Sequence, residues 1–90
     1  MGIALIKIKI MPDTPSADLE AIEKRAEEII NQKQGKNFKA EREPIAFGLT
    51  AVIAFFSRDE ELSTDELLEK LESEDLINSA EIIDFRRALG

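Results

Sequence analysis

Apolar and charged residues alternate at the start of the chain, with Ala4, Ile6, Ile8 and Ile10 on one side of an extended backbone and Leu5, Lys7, Lys9 and Met11 on the other. This predicts a first strand with one buried face. Met11-Pro12-Asp13-Thr14-Pro15-Ser16 ends it, because two prolines withdraw ladder donors. Either Thr14 with Pro15 behind it, or Ser16, is the expected cap of a helix. Leu19, Ile22, Ala26, Ile29 and Ile30 then recur on one helical face, with Glu20/Lys24 and Lys24/Glu28 pairs outside, and the pattern fades before Gly35.

Lys36 to Glu43 alternates weakly, Phe38, Ala40 and Arg42 against Asn37, Lys39, Glu41 and Glu43, and that density of charge suits an edge strand. Leu49 to Phe56 is apolar on both faces and rich in β-formers, so it belongs at the sheet centre. Pro44-Ile45-Ala46-Phe47-Gly48 joins the two as a hairpin. Ser63 and Glu66 have capping-box spacing, flanked by Leu62 and Leu67 as a hydrophobic staple, and start a second helix with Leu67, Leu68 and Leu71 on its buried stripe. Ser73 to Asn78 reads as a loop and Ser79 to Arg87 as a fourth strand.

The order strand, helix, strand, strand, helix, strand is the split βαβ arrangement, an α+β ferredoxin-like sandwich. Right-handed crossovers give an antiparallel four-stranded sheet in order 4132 with both helices on one face. The Phe47 hairpin and the C-terminus then lie at opposite ends. Strands of six or seven residues would hold them roughly 20 Å or more apart, too far for a small ligand to touch both.

Ninety residues predict one domain over 1–90. The chain has no cysteine and no histidine, which removes disulfides, thiolate sites, cysteine nucleophiles and the usual neutral-pH acid/base. Ser57, Ser63 and Ser79 therefore have no histidine to activate them, no phosphate-binding glycine motif occurs, and no catalytic residue is assigned. A net charge of −7 disfavours phosphate polymers and anionic membranes. The apolar stretch from Pro44 to Phe56 is too short to span a bilayer, and Lys7 and Lys9 interrupt the first apolar run, unlike a signal peptide. A cytoplasmic monomer without cofactor, direct nucleic-acid contact or membrane contact is expected.

Asp59, Glu60, Glu61, Asp65 and Glu66 cluster, but without the spacing of a cation-binding loop, and a solvated helix start accounts for them. Lys7 and Lys9 on the uncovered sheet face, with Arg86 or Arg87 on the neighbouring strand, would form a basic stripe for RNA or an acidic protein surface. Strand 1, however, offers no aromatic on which a base would stack. Phe47 stands out in a loop tip that would ordinarily be polar. It is either an interface anchor, since little entropy is lost when a stiff turn docks, or a plug folded back into the core.

Lys9-Ile10-Met11-Pro12, Asp18-Leu19-Glu20, Glu43-Pro44-Ile45-Ala46-Phe47-Gly48-Leu49 and the closing Asp84-Phe85-Arg86-Arg87-Ala88-Leu89-Gly90 resemble the archaeal elongation factor 1-beta family over essentially the whole chain. The chain is similar to the C-terminal exchange domain of the larger eukaryotic factor. The resemblance implies guanine-nucleotide exchange on elongation factor 1-alpha, a GTPase of translation, by protein contact and without covalent chemistry. It also implies that Phe47 docks on the partner's β-barrel domain with Ile45, Ala46, Gly48 and Leu49 shaping its turn. The eukaryotic relatives place a lysine next to last, where it disturbs the Mg²⁺ site; here that position is Leu89, and Arg86 and Arg87 are the positive charges nearest the terminus. The alternatives are a ferredoxin-like RNA-binding or ribosome-associated module using Lys7, Lys9 and the terminal arginines, and a small-molecule regulatory domain that dimerises through its sheet.

Overall fold

The opening alternation forms strand β1 (Ile3–Pro12) in the computed structural model, which describes residues 2–88. Ala4, Ile6, Ile8 and Ile10 are buried while Leu5 stays half exposed, so the period of two sorts the faces as expected. Helix α1 (Leu19–Gln32) follows, but neither Thr14 nor Ser16 caps it. Asp18 does, its carboxylate accepting the Ala21 N–H at 3.1 Å. The proline-bounded segment is taken up by turns instead: Ala17 N–H donates to the Thr14 carbonyl and Asp13 N–H to Leu76. Rigid φ angles at Pro12 and Pro15 delay the helix by a few residues. On its outer side Lys24 reaches Glu20 at 3.9 Å, whereas Glu28 pairs with Arg25, not Lys24, at 3.9 Å.

Gly35 closes this helix by close approach, its N–H on the Ile30 carbonyl at 2.8 Å. A Cβ there would lie 2.3 Å from Ile30 Cγ2 and 2.9 Å from its carbonyl oxygen, so only glycine fits. Strands β2 (Lys36–Pro44) and β3 (Thr50–Asp59), helix α2 (Thr64–Glu72) and strand β4 (Ile77–Ala88) complete the order. Ser63 caps α2, its Oγ accepting the Glu66 N–H at 3.4 Å. The sheet runs β2-β3-β1-β4 with every neighbour antiparallel, the ferredoxin-like order deduced above. Ile22, Ala26, Ile29 and Ile30 of α1 and Leu67 and Leu71 of α2 share one core with the inward faces of β1 and β3. Among the described residues, the other sheet face carries no helix.

Strands of nine to twelve residues replace the six or seven expected. Hydrophobic pattern marks where a strand is covered, not where its ladder stops, and Ser57-Arg58-Asp59 keep pairing with β1 beyond the apolar run. The molecule is 41 Å along its longest axis.

Arg58 is the one buried charged residue among those described, 5% exposed on the helix side opposite Ala4. Its Nε donates to the Lys33 carbonyl at 2.7 Å and its Nη1 to the Ser63 carbonyl at 3.0 Å. It thus ties the last turn of α1 to the start of α2, where a cation meets the negative end of the first helix dipole. Burial pulls its pKa below the usual guanidinium value. Arg25 anchors the other end of the helical layer, clasping Glu74 through Nε at 2.8 Å and Nη2 at 3.3 Å. That hydrogen bond holds the Glu74 carboxyl below the usual carboxylate range.

Candidate partner-binding site

The β2–β3 connection forms because Pro44 ends one ladder and Gly48 permits the reversal. Ile45 N–H donates to the Leu49 carbonyl at 2.7 Å, and inside that bond Leu49 N–H reaches the Ala46 carbonyl at 3.4 Å. Phe47 has φ 64° and ψ 30°, and Gly48 φ 78°. Two successive positive φ values are those of the central residues of a type I′ turn, whose twist matches that of the flanking strands. For glycine this is free; for an aromatic residue the left-handed region costs about 1–2 kcal/mol.

Phe47 is 94% exposed, so it does not plug the core. Ala46 and Gly48 beside it are also exposed, with Ile45 and Leu49 half-buried at the turn's base. The hairpin is therefore a small apolar knob standing in water.

At the far end of the sheet, Ala88 pairs with Ile3, which pairs in turn with Asp59. Phe47 and the last strand residues accordingly occupy opposite ends. A bulge ahead of both arginines sets which of them faces which side: the β1–β4 register shifts between Lys7 and Ile8, leaving Ile83 as the extra residue. Arg86 then lies opposite Leu5 on the uncovered face and pairs with Asp84 at 3.0 Å. Arg87 lies opposite Ala4 on the helix side and pairs with Glu60 at 2.9 Å. Leu89, at the position of the relatives' lysine, lies outside the described residues.

Lys7, Lys9 and Arg86 do share the uncovered face, but acidic residues interleave them. Across one row of the sheet stand Lys39, Phe55, Lys7 and Asp84, and across the next Glu41, Ile53, Lys9 and Glu81. Each lysine of β1 faces an acid on β4, which cancels its charge locally. Lys7 Nζ also sits 5.0 Å above the centre of the Phe55 ring, covering the central-strand aromatic on which a base would have to stack. The acidic run disperses too: Asp59 Oδ1 accepts the Glu61 N–H at 2.9 Å, Glu60 turns to Arg87, and Asp65 and Glu66 sit in the first turn of α2.

Two contributors went unread in the sequence. Arg58 was legible, since extending the alternation of Ala54 and Phe56 by two residues puts it on the inward face. The Glu60–Arg87 pair was not, because its geometry depends on a bulge that no residue type announces.

Residues 5–88 match the family model described as the EF-1 guanine nucleotide exchange domain. The elongation factor 1-beta of Pyrococcus horikoshii is 43% identical over 77 residues, covering 83% of this chain and 84% of the relative. Those of Methanobrevibacter smithii and Methanothermobacter thermautotrophicus are 40% and 36% identical, each over 99% of this chain and the whole of the relative. With the match running from β1 to the end of β4, this chain belongs to the EF-1 guanine nucleotide exchange domain family.

Proposed function

We propose that this chain, as one exchange domain over residues 1–90, promotes GDP release and GTP rebinding on elongation factor 1-alpha during translation elongation in the cytoplasm. It acts by contact alone, as a monomer. Membership of the exchange-domain family supports the general role, and the observation that carries the contact model is the solvent-exposed Phe47 on a turn whose backbone is fixed by two nested hydrogen bonds.

A ring held on a stiff turn loses little freedom on docking, so its apolar area converts efficiently into affinity. Phe47, with Ile45, Ala46, Gly48 and Leu49 around it, anchors one module of the GTPase. The end bearing Arg86 and Arg87 approaches the nucleotide-holding module from the other side. Exchange follows from differential affinity: the factor prefers the nucleotide-free partner, so it weakens GDP by the same factor by which nucleotide weakens the complex. GTP then enters by mass action. The contacts to be loosened are those the partner makes to phosphate and Mg²⁺.

Binding to elongation factor 1-alpha, measured by calorimetry with and without saturating GDP, tests this reading. Markedly tighter binding to the nucleotide-free form is expected; equal affinity for both forms would exclude exchange, since a ligand indifferent to two states shifts neither.

A further inference from the structure

The end of β4 is held by a latch that the exchange reading alone does not require. Glu60 follows β3 directly, and its backbone N–H donates to the Gly2 carbonyl at 3.0 Å. Its carboxylate is 21% exposed and meets Arg87 at 2.9 Å. A Cβ built on Gly2 would lie 2.8 Å from Glu60 Oε1, so the carboxylate is lodged against bare backbone and has that place only because residue 2 is glycine. Three chain segments, the start of β1, the exit of β3 and the end of β4, converge on this one side chain.

Arg87 itself is 78% exposed, and ion pairs so open to water add little to stability. The pair's effect is therefore on position. The bulge at Ile83 turns Arg87, not Arg86, toward Glu60, and the latch fixes that side chain at the sheet end opposite Phe47. We propose that Glu60 is a positioning residue for exchange: by clasping Arg87 it sets the terminal end of β4 for contact with the nucleotide-bearing module of the GTPase. The inference rests on the exchange reading above, and Gly2 belongs to the device as the residue that leaves room for the carboxylate.

Release of a fluorescent GDP analogue from elongation factor 1-alpha, followed against increasing concentrations of the factor, separates the half-saturating concentration from the maximal rate. Glu60→Gln removes the charge. Gly2→Ala displaces the carboxylate independently, and at little cost in stability, since the crowded atom is the tip of a flexible side chain. Both variants are expected to lower the maximal rate about fivefold to tenfold, with the half-saturating concentration and thermal midpoint close to wild type, because the Phe47 end is untouched. Wild-type maximal rates in both variants would overturn the positioning role while leaving the exchange reading intact. A rate loss matched by a falling thermal midpoint would overturn it in favour of a purely structural latch. If the wild-type protein itself failed to accelerate release, the exchange reading would fall and the positioning role with it.

Discussion

Phe47 combines two locally unfavourable choices, an aromatic ring in water and a side chain in left-handed backbone. Neither helps the fold, so replacing it should cost the fold nothing. Phe47→Gly relieves about 1–2 kcal/mol of backbone strain and concedes about 0.5–1 kcal/mol of chain entropy; urea unfolding should show stability at or slightly above wild type. Truncation of a buried plug would instead cost about 3–5 kcal/mol. Affinity for elongation factor 1-alpha should move the other way, with Phe47→Ala weakening binding by about 2 kcal/mol or more. Arg58 is the opposite kind of residue, almost enclosed and bonded only to carbonyls. Arg58→Met strands those carbonyls of Lys33 and Ser63, and the loss of charge-assisted bonds should lower unfolding stability by about 2–3 kcal/mol without changing exchange in the fraction that stays folded.

Among the elements, the helices depend on their ends. Ser63→Ala should destabilise by about 0.5–1 kcal/mol, at the lower part of the capping range because the Oγ to Glu66 N–H distance is a long 3.4 Å. Arg25 couples α1 to the α2–β4 connection through Glu74. Since Glu74 titrates lower in the folded chain, its ionised form stabilises the fold above the unfolded-chain value of about 4.3. That contribution vanishes as pH falls through the lower folded value. Glu74→Gln should therefore be less stable than wild type at neutral pH and converge with it in strong acid, as thermal unfolding across pH would reveal. Element types were legible from periodicity, strand order from the element sequence and right-handed crossovers, and the α2 cap from the spacing of Ser63 and Glu66. The α1 cap was not, because Thr14, Ser16 and Asp18 are all capping types and only the turns imposed by Pro12 and Pro15 choose Asp18. The bulge at Ile83 was equally hidden: a one-residue register shift leaves no mark on an alternation as short as Ile82 to Phe85, yet it decides which arginine faces which side.

At the scale of the molecule, the fold sets the distance between the two candidate contact regions. The antiparallel order places the hairpin knob and the latched end of β4 at opposite ends of a body 41 Å long, so a partner engaged at both must present two separated surfaces. The uncovered sheet face between them mixes both signs of charge, with Lys7 and Lys9 opposite Asp84 and Glu81. The geometry of the candidate site was readable beforehand only so far: an aromatic stood out where a polar turn tip is usual, and topology put that turn and the end of β4 at opposite ends. The central claim is that grip at both ends prises nucleotide from a GTPase. The rate of GDP release from elongation factor 1-alpha, loaded with fluorescent GDP and mixed with the purified chain and excess GTP, tests it most directly. The account predicts release that accelerates with factor concentration to a plateau, with Phe47→Ala raising the half-saturating concentration about 30-fold; release that stays at its intrinsic rate at every concentration of the wild-type protein would contradict it.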